Sequence, residues 1–153
     1  MDNIEVLDLK NNVTSRSYKA ADGIEMLSRL PNGLIGDYEK SCRDAEQDGL
    51  AYTIFVDDKM VACVGIIKQR KGIGLAWALY PPDIGNYRID PRIAKDKLKE
   101  LMEKHNLWRV EATVRADFPA GQSYLRYMGF EKEGLMKKNE PDQTDSILYA
   151  IVR

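Results

Sequence analysis

An amphipathic helix wedged between two strands constrains this chain more than any other feature. Asp90 followed by Pro91 offers a capping carboxylate and then a ring whose fixed φ suits the first helical turn. Ala94, Leu98, Leu101, Met102 and His105 then recur at the spacing of one helical face, and Asn106 closes the segment. On either side the period changes. Leu75 to Tyr80 reads as a strand, and so does Trp108 to Arg115, where Val110, Ala112 and Val114 alternate with Glu111, Thr113 and Arg115. Two strands joined through such a helix predict a right-handed crossover, with the strands parallel.

The remaining segments build outward from that unit. Ile4 to Leu9 alternates and predicts a short strand, and the polar run Asn11 to Ser17 predicts a loop. A helix is expected from Tyr18 to Arg29, ending before Pro31. A second carries Leu34, Ile35, Tyr38, Cys42 and Ala45 on one stripe and stops at Asp48-Gly49. Leu50 to Val56, Met60 to Lys68 and Leu75 to Tyr80 predict an antiparallel meander. Its connections are Asp57 to Lys59 and the glycine-rich Gln69 to Gly74, and Pro81-Pro82 ends it. Beyond Arg115, Asp117 and Pro119 open a helix that stops at Gly129, and two strands, Phe130 to Lys138 and Thr144 to Val152, finish the chain. The expectation is one α/β domain over residues 1–153, a mixed and mostly antiparallel sheet flanked by helices.

Composition narrows the function classes. The formal net charge is -1, so no overall basic footprint points to nucleic acid or an anionic membrane. The longest apolar run, Met60 to Ile67, is far too short to span a bilayer. Cys42 and Cys63 lack metal-ligand spacing and predict two buried thiols in a reducing, cytoplasmic setting, with a disulfide between them as the alternative. Acidic residues are scattered without a carboxylate pair or a metal cluster, so no metal is expected. His105 has no serine, cysteine or acid patterned around it and reads as structural.

The element order resembles that of the GNAT N-acetyltransferase family along the whole chain. The specific words lie in the last third: Arg109 to Val114, Ala120 to Phe130 closing in Met128-Gly129-Phe130, Glu133-Gly134-Leu135, and Asp145 to Tyr149. Val114 to Gly121 followed by Gly129-Phe130-Glu131 is similar to GNAT-like proteins encoded by bacteriophages, which implies a host cytoplasm. The resemblance implies acetyl-CoA as cosubstrate and an amine acceptor on a small molecule or protein. A homodimer is among the assemblies it allows.

The family's phosphate-binding word is Q/R-x-x-G-x-G/A between a strand and the next helix. Gln69 to Gly74 matches it literally, yet a strand and two prolines come next instead of a helix. A phosphate cradle needs a helix N-terminus behind it, so this match reads as a turn. The topologically proper place is Asn86 to Arg92. There Asn86 falls at the Q/R position, Ile89 at the first glycine and Pro91 at the last small residue, a degraded motif with one N–H missing. Arg88 and Arg92 would compensate as phosphate ligands, or are solvated surface charges. Tyr87, Ile89, Asp90 and Tyr127 join them as expected cofactor neighbours. The resemblance also implies that the pantetheine arm pairs with the backbone near Leu79 and Tyr80, where an N–H would polarise the thioester carbonyl. Trp77 reads as core.

Acetyl transfer needs a neutral amine, a polarised carbonyl and a proton for the leaving thiolate. Glu111 is the nearest candidate base, against the plainer reading of a solvated strand residue. The family's tyrosine, four residues before the Gly-Phe glycine, is replaced by Leu125. Tyr124 and Tyr127 stand near it, but one helical residue rotates a side chain by about 100°, so neither is a clean substitute. Tyr124 is the candidate acid, with packing as its alternative. Asp37, Glu39 and Asp44 on the second helix would greet a cationic acceptor, or form an ordinary exposed face. A GNAT-fold protein that binds a partner protein without turnover is the competing class.

Overall fold

The computed structural model describes residues 3–30 and 35–153, with residues 35–38 described for their backbone alone. In chain order the elements are β1 (Glu5–Asp8), β2 (Val13–Ser17), α1 (Ala20–Ser28), α2 (Ile35–Asp48), β3 (Ala51–Val56), β4 (Lys59–Arg70), β5 (Ile73–Leu79), a short 3₁₀ turn (Ile84–Tyr87), α3 (Pro91–Lys104), β6 (Arg109–Arg115), α4 (Pro119–Met128), β7 (Glu131–Met136) and β8 (Ser146–Val152). The strands hydrogen-bond in the order β1-β2-β3-β4-β5-β6-β8-β7. β5 and β6 are parallel, as the crossover through α3 requires. The pairs β1–β2, β2–β3, β3–β4, β6–β8 and β7–β8 are antiparallel. This is the mixed α/β sheet expected from the periodicities.

Two expectations need correction. The polar run 11–17 contains strand β2, which pairs with β3 from Val13 against Val56 to Ser17 against Tyr52. Its inward positions are Val13 and Ser15, both buried. A serine on the inner face hides the alternation, and only the partner strand reveals it. The glycine-rich connection shrinks to Lys71-Gly72, because β4 continues to Arg70 and β5 begins at Ile73. Gly72 lies at φ +76 and a Cβ there would overlap the Trp108 indole. Its carbonyl accepts the N–H groups of Trp108 (2.9 Å) and Arg109 (3.1 Å), so the turn is tied down and the strands run up to it. Of the predicted α2 stripe, Leu34 lies outside the described residues, as do the side chains of Ile35 and Tyr38. Cys42 and Ala45 are buried as expected.

The chain forms two compact units, Met1–Ile67 with Trp77–Ile93, and Lys68–Ala76 with Ala94–Arg153. In the first, α1 and α2 bury Met26, Leu27, Cys42 and Ala45 against Tyr18, Ala51, Met60 and Cys63, and Trp77 and Leu79 of β5 pack on this cluster. A second cluster holds Val13, Val56 and Val61, closed by Ile84, Tyr87 and Ile89 from the turn that precedes α3. Both cysteines are free and buried. In the second unit Leu98, Leu101 and Met102 of α3 are buried, as are Val110, Ala112, Phe130, Ile147 and Tyr149. α4 ends where Gly129 turns left-handed at φ +103.

Candidate functional site

The segment Leu79 to Arg92 lies wholly in the first unit and carries most of the expected cofactor residues. β5 pairs with β6 through Ile73–Arg109, Gly74–Val110 and Leu75–Glu111, and the strand itself runs on to Leu79. Leu79 is half-buried against the α1–α2 cluster. Tyr80 is 38% exposed, and desolvation holds its phenol above the ordinary tyrosine range. Pro81 and Pro82 then break the strand, because neither ring can donate to a ladder.

Tyr87 and Ile89 pack against the Val13–Val56–Val61 cluster, and the Lys59 ammonium sits 5.6 Å from the Tyr87 ring centre. Both side chains are therefore spent on packing. Arg88, in between, is exposed and left-handed at φ 51. Among the described residues it has no ion-pair partner.

Asp90 takes the capping role that its place before Pro91 foretells. Its Oδ1 accepts the Arg92 backbone N–H at 3.0 Å. Arg92 Nε and Nη2 also donate to the carboxylate, at 3.1 Å and 2.7 Å. The guanidinium, then the backbone N–H, hold the Asp90 carboxyl below the usual aspartate range. An internal anion thus occupies the N-terminus of α3, where the dipole favours negative charge. Arg92 is committed to it. A cleft of about 340 Å³ opens beside this segment, lined by Arg29, Lys59, Pro81, Pro82, Asp83 and Tyr87. Sequence reading missed it, since Arg29 and Lys59 come from distant elements.

The residues expected to move protons lie in the second unit. Glu111 accepts from Arg109 Nε at 2.9 Å, and Arg109 also grips Glu133 through Nη1 at 2.9 Å. Glu111 thus belongs to an ion triad with Arg109 and Glu133 on one sheet face. Tyr124 and Tyr127 stand 46% and 41% exposed on α4, and the Lys95 ammonium lies 5.1 Å from the Tyr127 ring centre. Leu125 gives its carbonyl to the Phe130 N–H at 3.0 Å. Tyr149 is the buried tyrosine here: its hydroxyl donates to Gln122 at 3.4 Å and accepts from Arg126 at 3.3 Å, fastening α4 to β8. On α2, Glu39 pairs with Arg43 and Asp44 with Lys40, so both carboxylates are engaged. The side chain of Asp37 lies outside the described residues.

One buried acid went unremarked in the sequence. Asp22 accepts from Arg16 Nη1 (2.6 Å) and Nη2 (2.9 Å), from Thr53 Oγ1 (2.7 Å) and from the Lys19 N–H (3.1 Å). Burial alone would raise its pKa, but the hydrogen bonds from Arg16 and Thr53 outweigh it and pull the pKa down. No local spacing announces three elements meeting at one carboxylate. No group of His, Cys, Asp and Glu among the described residues could hold a metal ion. No helix among them is long and apolar enough to cross a membrane.

No model of a known protein family matches the chain, and no curated protein matches it by sequence. Solved structures do match, over nearly the full length. The RimL ribosomal-protein alpha-N-acetyltransferase in complex with coenzyme A superposes with a TM-score of 0.74 at 16% identity, covering 97% of this chain and 98% of that one. This chain has the GNAT acetyltransferase fold. Two further structures with that fold agree. Ard1 from Thermoplasma volcanium gives a TM-score of 0.73 at 15% identity, covering 92% and 97% of the two chains. A GNAT-family acetyltransferase from Streptococcus pneumoniae gives 0.70 at 19%, covering 92% and 98%. In the GNAT fold, α3 with its Asp90 cap is the helix that follows the first strand of the parallel pair.

Proposed function

We propose that the chain is an acetyl-CoA-dependent N-acetyltransferase, moving an acetyl group to an amine of a small molecule or protein by direct attack on the thioester. One observation carries the reading. A parallel ladder of three residue pairs sits on a strand that runs on into a turn where Arg88 has no carboxylate partner and a helix N-terminus follows. Along β5 beyond Leu75 the backbone of a strand could bind the amides of a pantetheine arm by strand addition, which asks nothing of side chains. Arg88 and the backbone from Tyr87 to Ile89 fit a diphosphate, with Arg92 recruited from Asp90.

Acetyl-CoA supplies the activated carbonyl and the sulfur that departs. The chain orients it and handles the proton: an N–C bond forms, the C–S bond breaks, and the amine proton ends on sulfur or solvent. We assign Glu111, oriented by Arg109, to accept that proton, and Tyr124 to offer one to the thiolate.

A second reading has its own observation. The Asp90 carboxylate already fills the α3 N-terminus, as befits a module that binds a protein without turnover. Thermal melting with and without acetyl-CoA separates the two. A ligand at a hundredfold its Kd adds about 2.7 kcal/mol, so the transferase melts several degrees higher, and Arg88→Ala loses most of the gain. Thiol release across an amine panel then tests turnover, and Glu111→Gln should slow it. No shift at millimolar acetyl-CoA would overturn the transferase reading and leave the interaction module.

A further inference from the structure

The second unit holds a cleft of about 340 Å³ beside the residues that follow α3. It is lined by Lys68, Gln69, Arg70 and Lys71, by Gly72 at the turn, and by His105 and Leu107 just past the helix. Among the described residues, six arginines are matched to carboxylates: Arg16 to Asp22, Arg29 to Glu25, Arg43 to Glu39, Arg92 to Asp90, Arg109 to Glu111 and Glu133, and Arg115 to Asp117 and Asp142. Arg70 and Lys71, like Arg88, have no ion-pair partner among the described residues. The chain has 24 acidic residues to draw on, yet among the described residues none is set against these two.

The imidazole of His105 reports the local field. Partial burial, then Lys68, then Lys104 hold its pKa below the usual histidine value. Glu103 stands two residues before it, yet no carboxylate contributes to that shift. Gathering like charges round a cleft is unfavourable, and an anion of more than one charge relieves it. The turn is also rigid. Gly72 is clamped on the Trp108 ring and bonded to the Trp108 and Arg109 N–H groups, so Arg70 and Lys71 leave a fixed base. A guanidinium, an ammonium and an imidazole lining one cleft suit a tetrahedral oxyanion better than a planar carboxylate, which one arginine alone would satisfy.

We propose that this cleft is a second anion site, binding a phosphate group carried by a ligand, with Arg70 and Lys71 as its clamp and the His105 imidazole as a third donor. It stands apart from the acetyl-transfer reading and needs no turnover to test. His105 is the only histidine, so its imidazole signals in nuclear magnetic resonance need no assignment. They are titrated against pH in sodium chloride, in pyrophosphate, and in a single-stranded ten-nucleotide RNA, all at matched ionic strength.

A bound phosphate should raise the His105 pKa by roughly one unit. Arg70→Ser with Lys71→Ser, both exposed positions, should abolish the rise, whereas Lys40→Ser on α2 should leave it intact. A rise with pyrophosphate identifies a free phosphate compound, and a rise with RNA alone identifies a phosphodiester. Titration curves that coincide in all three salts overturn the proposal, and so does a rise that survives in the double variant.

Discussion

Replacing Asp22 by asparagine tests whether the first unit is held by its buried charge network. The carboxylate is 11% exposed and Arg16 19% exposed, and together with Thr53 and the Lys19 N–H they join α1 to β2 and β3. Asparagine keeps the shape but removes the charge. It leaves the Arg16 guanidinium without its counterion and turns an N–H₂ toward groups that were all donors. Breaking one partner of such a pair costs about 3–5 kcal/mol. Residual exposure of Arg16 puts the expectation at the lower end, about 3 kcal/mol. For a chain of this size that lowers the melting midpoint by roughly 6–12 °C. Urea unfolding followed by circular dichroism measures it.

The pH dependence gives an independent check. The folded pKa of Asp22 is depressed below its ordinary 3.8, so its stabilisation is present above that value and is lost as pH falls through the folded pKa. The gap between the native protein and Asp22→Asn should stay constant from about pH 5 to 7, in the plateau well above about 3.9, and shrink below about pH 4. The pair Arg16→Met with Asp22→Leu should lose much less than either single change, since a packed apolar pair carries no desolvation penalty. A loss under about 1 kcal/mol for Asp22→Asn, or a gap that ignores acid, would refute the reasoning.

Three further outcomes are expected. Gly72→Ala should cost roughly 2–4 kcal/mol, from overlap with the Trp108 ring and a left-handed backbone, read as a drop in the urea midpoint. Asp90→Ala should lower the melting point while tightening acetyl-CoA by a few-fold in calorimetry, because it removes an anion from the α3 N-terminus and releases Arg92. Neither thiol should react with a disulfide reagent in the native protein at about pH 8, since burial pushes Cys63 up to about 12 and Cys42 is likewise enclosed. Both should react once urea unfolds the chain.

Much of the architecture was legible along the chain because it rests on local rules. A proline after Asp90, the face of Leu98, Leu101 and Met102, and the alternation from Val110 demand a helix and a following strand whatever lies around them. The literal Gln69–Gly74 word could be read as a turn for the same reason, since Leu75 to Tyr80 and two prolines leave no room for a helix behind it. The features beyond reach depended on partners far apart in sequence. β2 is a strand because β3 lies beside it. Tyr87 and Ile89 turn inward because Val13, Val56 and Val61 form a floor for them. Glu111 is bound because Arg109 and Glu133 share its face.

The charge of the whole chain illustrates the same division. A formal net charge of -1 is fixed by composition, and it argues against polyanions. It could not reveal that carboxylates would be consumed pairing most arginines while the turn at Lys71 kept none. Periodicity and capping act over a few bonds, so the order of residues determines them. Ion pairing, burial and the opening of a cleft depend on which segments meet, and only the folded chain decides that.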